Sequence, residues 1–231
     1  ETGYCRGRGG SMHIADLTMG NLGANGIVGG GIPIATGAAL ASKLRNDGKV
    51  TLCFFGDGAT NQGAFHEAVN FGAVKKLPVV YLCENNLYGM SVPFEKASAA
   101  KDVADRAAAY NIPGVIVDGN DVEAVYEVTK AAVERARQGQ GPSIIEAKTY
   151  RWLGHSKSDP RVYRTREEEE AWKQKCPIKR YRQKLISEGV ATEEELDQIE
   201  KSVEKAIQEA LEYAKNSPEP KVEEIMEGVY A

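Results

Sequence analysis

Two short polar clusters close two apolar runs. Gly56-Asp57-Gly58-Ala59 follows Val50 to Phe55, and Asn85-Asn86 ends the run from Pro78 to Glu84. A carboxylate and a carboxamide are thereby delivered to the tips of two expected parallel strands, with one helix between them. A hard divalent cation such as Mg²⁺ takes oxygen ligands and commonly shares them with phosphate groups. Asp57 would supply the anionic ligand, Asn86 a neutral one, and the backbone carbonyl of Tyr88 a third. Gly56 and Gly58 lack Cβ atoms, so the main chain there can come close to phosphate oxygens. The helix expected to start near Asn61 or Gln62 offers free N–H groups and the positive end of its dipole to the same anion. The chemistry these residues suit is the binding of a magnesium-bound diphosphate.

Gly-Asp-Gly by itself is an ordinary turn, and so is Asn-Asn. Only the pair, each member ending an apolar strand, points to a metal. The same pair would also suit a magnesium nucleotide on a similar sheet.

Strands and helices alternate around these clusters. A small-residue helix is expected over 32–45, strand 50–55, helix 62–74 and strand 79–83. A helix near 99–110, strand 114–117, helix 122–137 and strand 143–149 follow. Phe65, Ala68, Val69 and Gly72 fall on one face of the second helix. Val122, Val125, Tyr126, Thr129, Ala132, Val133 and Ala136 do so on the helix that Gly139, Gly141 and Pro142 end. This order argues for an α/β chain, a parallel sheet with helices on both faces. Ligands of such sheets bind beyond the carboxyl ends of the strands. From Thr165 the chain turns charged and helical, with capping boxes expected at Thr165/Glu168 and Thr192/Glu195. Leu196, Ile199, Val203, Ala206, Ala210 and Ala214 keep helical spacing up to Ser217-Pro218.

The segment GDGATNQGAFHEAVNFGAVKKLPVVYLCENN closely resembles the thiamine-diphosphate motif. GRGGSMHIAD, NGIVGGGIPIATGAALA, ENNLYGMS and TYRWLGHSKSDPRVYRTREE resemble the alpha subunit of the decarboxylase component of 2-oxo acid dehydrogenase complexes. Pyruvate and acetoin dehydrogenases are the members most resembled, and the likeness runs from about Gly3 through the helical tail.

The resemblance implies the thiamine-diphosphate-binding fold, with thiamine diphosphate and Mg²⁺ as cofactors. It implies that Asp57, Asn86 and the Tyr88 carbonyl hold the metal, with Gly58 and Ala59 near the diphosphate. Gly26 and Val28 would approach the aminopyrimidine, and Met90 would lie under the thiazolium. His155, in an exposed polar loop, would contact cofactor or substrate as a catalytic group, and His13 would line the same side. Ser156 matches a serine that animal pyruvate dehydrogenases phosphorylate. No such control is expected here, because Asp159-Pro160-Arg161-Val162-Tyr163 holds no counterpart to the second serine of that loop.

The resemblance further implies an oxidoreductase subunit that cleaves a C–C bond next to a carbonyl, with acetoin or pyruvate as substrate. The acyl fragment would pass to a lipoyl group on the acyltransferase component. The partner would be a beta subunit, in an assembly of two alpha and two beta chains, which supplies the glutamate that activates the aminopyrimidine. The chain alone is therefore expected to show no turnover. Family members carry a helical region ahead of the segment matching Gly3, including a Tyr-Arg pair for the diphosphate. A chain starting at Glu1 reads as a truncated form, and the alternative reading is an inert fragment that folds and binds cofactor weakly. Residues 1–231 are expected to form one domain, with 151–165 as active-site loop and 166–231 as helical extension.

Composition excludes other classes. A net charge of −4 favours neither nucleic acid nor an anionic membrane. No run reaches the ~18 apolar residues of a membrane span. Cys5, Cys53, Cys83 and Cys176 lack metal-binding spacing. Cys53 and Cys83 sit within apolar strands, which favours buried free thiols and a cytoplasmic location.

Overall fold

The computed structural model describes residues 3–227. The chain divides into two compact units, Ile27–Tyr181 and Glu1–Gly26 with Arg182–Ala231.

The first unit holds the sheet. Its elements are α1 (Gly31–Arg45), β1 (Thr51–Gly56), α2 (Gly63–Val74), β2 (Val79–Asn85), the short pair β3 (Tyr88–Gly89) and β4 (Val92–Pro93), and α3 (Phe94–Ala97). β5 (Gly114–Asp118), α4 (Val122–Arg137), β6 (Ser143–Lys148) and α5 (Arg166–Lys173) follow. Four strands form a parallel sheet in the order β1-β2-β6-β5. β2 is buried on both faces, and alternate side chains divide two cores between them. Val79, Tyr81 and Cys83 pack with Ile32, Ala35 and Ala39 of α1 and Phe65, Ala68 and Val69 of α2. Val80 and Leu82 pack with Ile145, Val117 and Ala132 on the other side, where Val125, Val128 and Val133 of α4 join them. Helices thus cover both faces, as the alternating pattern requires.

Two expectations change in detail. On α4, Tyr126 is 61% exposed and Val122 51%, while Val128 joins the core in their place. The helix expected near 99–110 shrinks to a 3₁₀ segment, Ala104–Tyr110. The Ala104 N–H is captured by the Glu146 carboxylate at 2.8 Å, and the Asp102 N–H turns to the Asp105 side chain. Backbone donors taken by side chains in this way are lost to a regular helix start.

Tyr81, fully buried, ties α1 to α2. Its hydroxyl lies 2.8 Å from Thr36 Oγ1 and donates to the Ala68 carbonyl at 3.2 Å. At the start of β5, a Cβ on Gly114 would lie 2.2 Å from the Ala104 carbonyl oxygen and 2.9 Å from Ala107 Cβ. Gly114→Ala is therefore expected to lower stability by about 1–3 kcal/mol, the usual cost of overpacking. A lower urea midpoint with an unchanged m-value would register it. An unaltered midpoint would mean that the 3₁₀ segment yields freely.

The second unit contains the amino-terminal segment and the tail. Asp16 closes a turn by accepting from Thr18 and Met19 N–H, and it pairs with Asn21. α6 (Pro177–Ser187) crosses the boundary between units, and α7 (Glu193–Asn216) lies wholly in the second. Thr192 and Glu195 form the full capping box expected of them. Arg8 donates to the Glu227 carbonyl at 2.9 Å and pairs with Glu224 at 3.4 Å. Among the described residues, no helix is long and apolar enough to cross a membrane. All four cysteines are free, and Cys53, Cys83 and Cys176 are buried.

Candidate active site

The parallel register aligns the carboxyl ends of the four strands. Gly56 lies beside Glu84, Asn85 beside Lys148, and Lys148 beside Asp118. The two polar clusters therefore leave the same edge of the sheet. β1 passes into a 3₁₀ turn, Asp57–Asn61, and α2 starts only at Gly63 with Gln62 as its N-cap. The helix thus begins slightly later than its sequence pattern suggests, and the first N–H groups of the turn have no partner within it.

Asp57 is 2% exposed, with the backbone N–H groups of Asp57 itself and of Asn86 directed towards its carboxylate. Burial raises its pKa; the two N–H groups and the positive charge of Arg151 offset this only in part. The net upward shift is that of a carboxylate which a cation beside it would relieve. Gly58 and Gly89 mark where the two loops meet. A Cβ on Gly58 would lie 3.3 Å from Gly89 Cα, and one on Gly89 would lie 3.4 Å from Gly58 Cα. Only small residues allow this approach, and Gly89 was not singled out by the sequence reading.

The loop after β2 is tightly wound. Leu87 has φ +72° and Met90 φ +52°, both left-handed without being glycine. Such conformations persist where surrounding bonds enforce them. Asn85 Oδ1 accepts the Leu87 N–H at 3.1 Å, and Asn86 Oδ1 accepts the Tyr88 N–H at 3.3 Å. The carbonyls of Tyr88 and Met90 accept from Arg151 at 3.1 Å and 2.6 Å. Each carbonyl oxygen has a second lone pair, so Tyr88 keeps one for a metal. Met90 and Val28 are exposed apolar side chains, at 63% and 61%.

His155 is exposed on the loop that follows β6. The loop is organised by Asp159, which accepts from Tyr163 OH at 2.7 Å, from His155 N–H at 2.7 Å and from Arg161 N–H at 2.9 Å. The Tyr163 bond, with those two N–H groups, brings the Asp159 pKa down to about 2. Arg151 also donates to Tyr163 OH at 3.2 Å. One guanidinium therefore ties the His155 loop to the Tyr88–Met90 loop. Arg164 fastens the same loop from beneath, donating to the Trp152 and Leu153 carbonyls at 3.0 Å and 2.9 Å and to Glu169 Oε1 at 3.0 Å. Its guanidinium lies 5.0 Å from the Tyr150 ring centre, 5.8 Å from that of Tyr88 and 5.7 Å from that of Tyr163. The capping box expected at Thr165 is only half made. Thr165 accepts the Glu168 N–H, but the Glu168 carboxylate accepts from Tyr88 OH at 2.9 Å. Burial, joined by that bond, pushes the Tyr88 pKa up.

His13 and Gly26 belong to the second unit, where a Cβ on Gly26 would lie 3.8 Å from His13 Cε1. Val28, Asp57, Gly58, Ala59, Asn86, Tyr88, Met90 and His155 belong to the first. Arg151, Arg164 and Glu146 were missed by the sequence reading. The available signal was a lone charge in an apolar strand for Glu146, and arginines within a loop otherwise read only for its histidine.

Among the described residues, no group of three or more His, Cys, Asp or Glu side chains is placed to hold a metal. A site built from one carboxylate, one amide and one carbonyl is of a different kind, and the buried, upward-shifted Asp57 fits a cation. The fold and this loop pair define a parallel α/β protein with two polar loops meeting at the carboxyl edge of its sheet.

Comparison with known proteins gives the family. Residues 2–223 match the model of the dehydrogenase E1 component. The alpha subunit of acetoin:2,6-dichlorophenolindophenol oxidoreductase from Bacillus subtilis is 51% identical over 230 residues, which are 99% of this chain and 68% of that protein. The pyruvate dehydrogenase E1 component subunit alpha of Porphyra purpurea is 43% identical, over 100% of this chain and 69% of its own length. The corresponding acetoin subunit of Cupriavidus necator is 44% identical, covering 99% and 69%. The chain belongs to the dehydrogenase E1 component family, as an oxidoreductase subunit of the 2-oxo acid dehydrogenase type. The family implies thiamine diphosphate as cofactor.

Proposed function

We propose that this chain is the alpha subunit of a thiamine-diphosphate-dependent component that cleaves the C–C bond next to a carbonyl in acetoin or pyruvate. It works with a beta subunit, in an assembly of two alpha and two beta chains, and passes the acyl fragment to a lipoyl group on an acyltransferase partner. When bound, thiamine diphosphate supplies the nucleophilic carbon and the electron sink for that cleavage. The residues of this chain bind and orient it. Asp57, Asn86 and the Tyr88 carbonyl hold Mg²⁺, and Gly58 and Ala59 offer N–H groups to the diphosphate. Val28 and Met90 give apolar contact to its rings. His155 stands at the entrance and holds or moves a proton for the reacting carbonyl. His13 and Gly26 have the roles that likeness to the family assigns them.

What carries this reading is the meeting of the two loops at Gly58 and Gly89, with the Asp57 carboxylate buried beside it at the carboxyl edge of the sheet. In this reading the two compact units serve one cofactor-binding function, with 151–165 as active-site loop and 166–231 as helical extension. The four free cysteines favour a reducing compartment such as the cytoplasm.

The test is co-expression with the beta subunit and assay with acetoin and with pyruvate, using 2,6-dichlorophenolindophenol as electron acceptor. Dye reduction that needs both Mg²⁺ and thiamine diphosphate, and that the lone chain does not support, is expected. An assembled complex inert with both substrates would overturn the reading. ATP displacing thiamine diphosphate would make the site one for a magnesium nucleotide.

A further inference from the structure

Glu146 lies in the middle of β6 with 0% exposure, among the apolar residues Ile144, Ile145 and Ala147. A carboxylate there is costly unless its oxygens are bonded. One oxygen, Oε1, accepts from Asn85 Nδ2 at 2.6 Å and lies 2.6 Å from Lys148 Nζ. The other, Oε2, accepts the Ala104 N–H at 2.8 Å. Lys148 in turn lies 2.6 Å from Asp102. Glu146 therefore joins the end of β2 to the start of the 3₁₀ segment Ala104–Tyr110.

Its partner Asn85 is also 0% exposed and has its own task. With the amide nitrogen held by Glu146, Asn85 Oδ1 is turned to accept the N–H of Leu87, the left-handed residue between Asn86 and Tyr88. Leucine does not adopt that conformation without external bonds. The backbone of Asn85 is fixed as well, its carbonyl accepting the Thr149 N–H at 2.9 Å. The chain of bonds thus runs from a buried carboxylate on one strand to the turn that sets two of the three proposed metal oxygens.

We propose that Glu146 is a positioning residue for the divalent cation, acting through Asn85 to hold the Asn86-Leu87-Tyr88 turn in its ligating shape. The proposal rests on the reading of Asn86 and Tyr88 as ligands. Partners of metal ligands, when removed, commonly cost about 10–100-fold in metal affinity. Glu146 stands one residue further back, so the lower end is expected.

The experiment titrates Mg²⁺ into the alpha–beta complex at saturating thiamine diphosphate, following quenching of intrinsic fluorescence. It compares wild type, Asp57→Ala, Glu146→Gln, Asn85→Ser and the double variant, with thermal unfolding of each cofactor-free complex alongside. Glu146→Gln is expected to raise the half-saturating Mg²⁺ concentration roughly 10-fold. Asn85→Ser should do the same, and the double variant should be no worse than either, because both act through one path. A purely structural role would lower the unfolding temperature and leave the Mg²⁺ curve in place. An unmoved curve in Glu146→Gln, or effects that add in the double variant, would overturn the proposal. If Glu146→Gln does not assemble, Asn85→Ser decides alone, and an unmoved curve there overturns it. Failure of the ligand reading shows separately, as wild type and Asp57→Ala giving the same Mg²⁺ curve.

Discussion

Asp57→Asn is expected to abolish Mg²⁺-dependent binding of thiamine diphosphate and, in the same protein, to raise the unfolding temperature of the cofactor-free chain. The two effects have one cause. Burial holds the folded pKa of Asp57 above its unfolded value. The stabilising contribution of such a group is complete below the unfolded pKa and is lost as pH rises through the folded one. At neutral pH the ionised, desolvated carboxylate therefore costs stability unless a cation relieves it. Asparagine keeps the shape without the charge. Wild type without cofactor should lose stability as pH rises from the ordinary carboxylate range upward, and the variant should lack that step. The loss of binding should exceed the roughly 10–100-fold that removal of an outer partner brings, since the only anionic ligand is removed. Calorimetry of cofactor binding and melting curves across pH would read both. A variant that binds normally, or that melts lower at neutral pH, would contradict the assignment.

The second large effect is expected at Arg164. Its side chain is fully buried, and Glu169, its partner, is 2% exposed. Burial raises the pKa of Glu169, but the hydrogen bond from Arg166 and the charges of Arg161 and Arg164 outweigh it and bring the carboxyl below its usual range. Arg164→Ala would leave the Trp152 and Leu153 carbonyls without that donor and Glu169 with two of its three arginines. Removing one partner from a buried pair costs about 3–5 kcal/mol. The lower end applies here, because Arg161 and Arg166 remain on Glu169. For a chain of this length each 1 kcal/mol moves Tm by roughly 2–4 °C, so a drop of about 6–12 °C follows. The loop carrying His155 should become the first site of limited proteolysis. The same loosening should appear in wild type at acid pH, since a lowered carboxyl contributes stability above its unfolded pKa and loses it as pH falls through the folded one. A variant that melts like wild type with a protease-resistant loop would remove Arg164 from this role.

The parts legible in the sequence were those governed by local pattern. Apolar runs ended by Gly-Asp-Gly and Asn-Asn became β1 and β2 with their polar tips at one edge of the sheet. The stripe Phe65, Ala68, Val69, Gly72 is buried throughout, as helical spacing demands. The parts that were not legible depend on partners distant in sequence. Nothing near Ala104 announces that Glu146 will take its N–H and leave a 3₁₀ segment where a longer helix was expected. Glu168 has the spacing of a capping residue, but Tyr88 holds it instead. Arg151 reads as one charge in a loop, although it binds the Tyr88 and Met90 carbonyls together. Gly89 escaped notice because its need for smallness comes from Gly58, a residue of another loop.

The most direct measurement is crystallographic. The alpha–beta complex would be crystallised with thiamine diphosphate and with Mn²⁺ in place of Mg²⁺, and anomalous differences would locate the metal. One peak is expected, touching an Asp57 carboxylate oxygen, Asn86 Oδ1 and the Tyr88 carbonyl oxygen, with the diphosphate on its open side. A metal peak elsewhere, or a diphosphate bound away from the Asp57 and Asn86 loops, would contradict it.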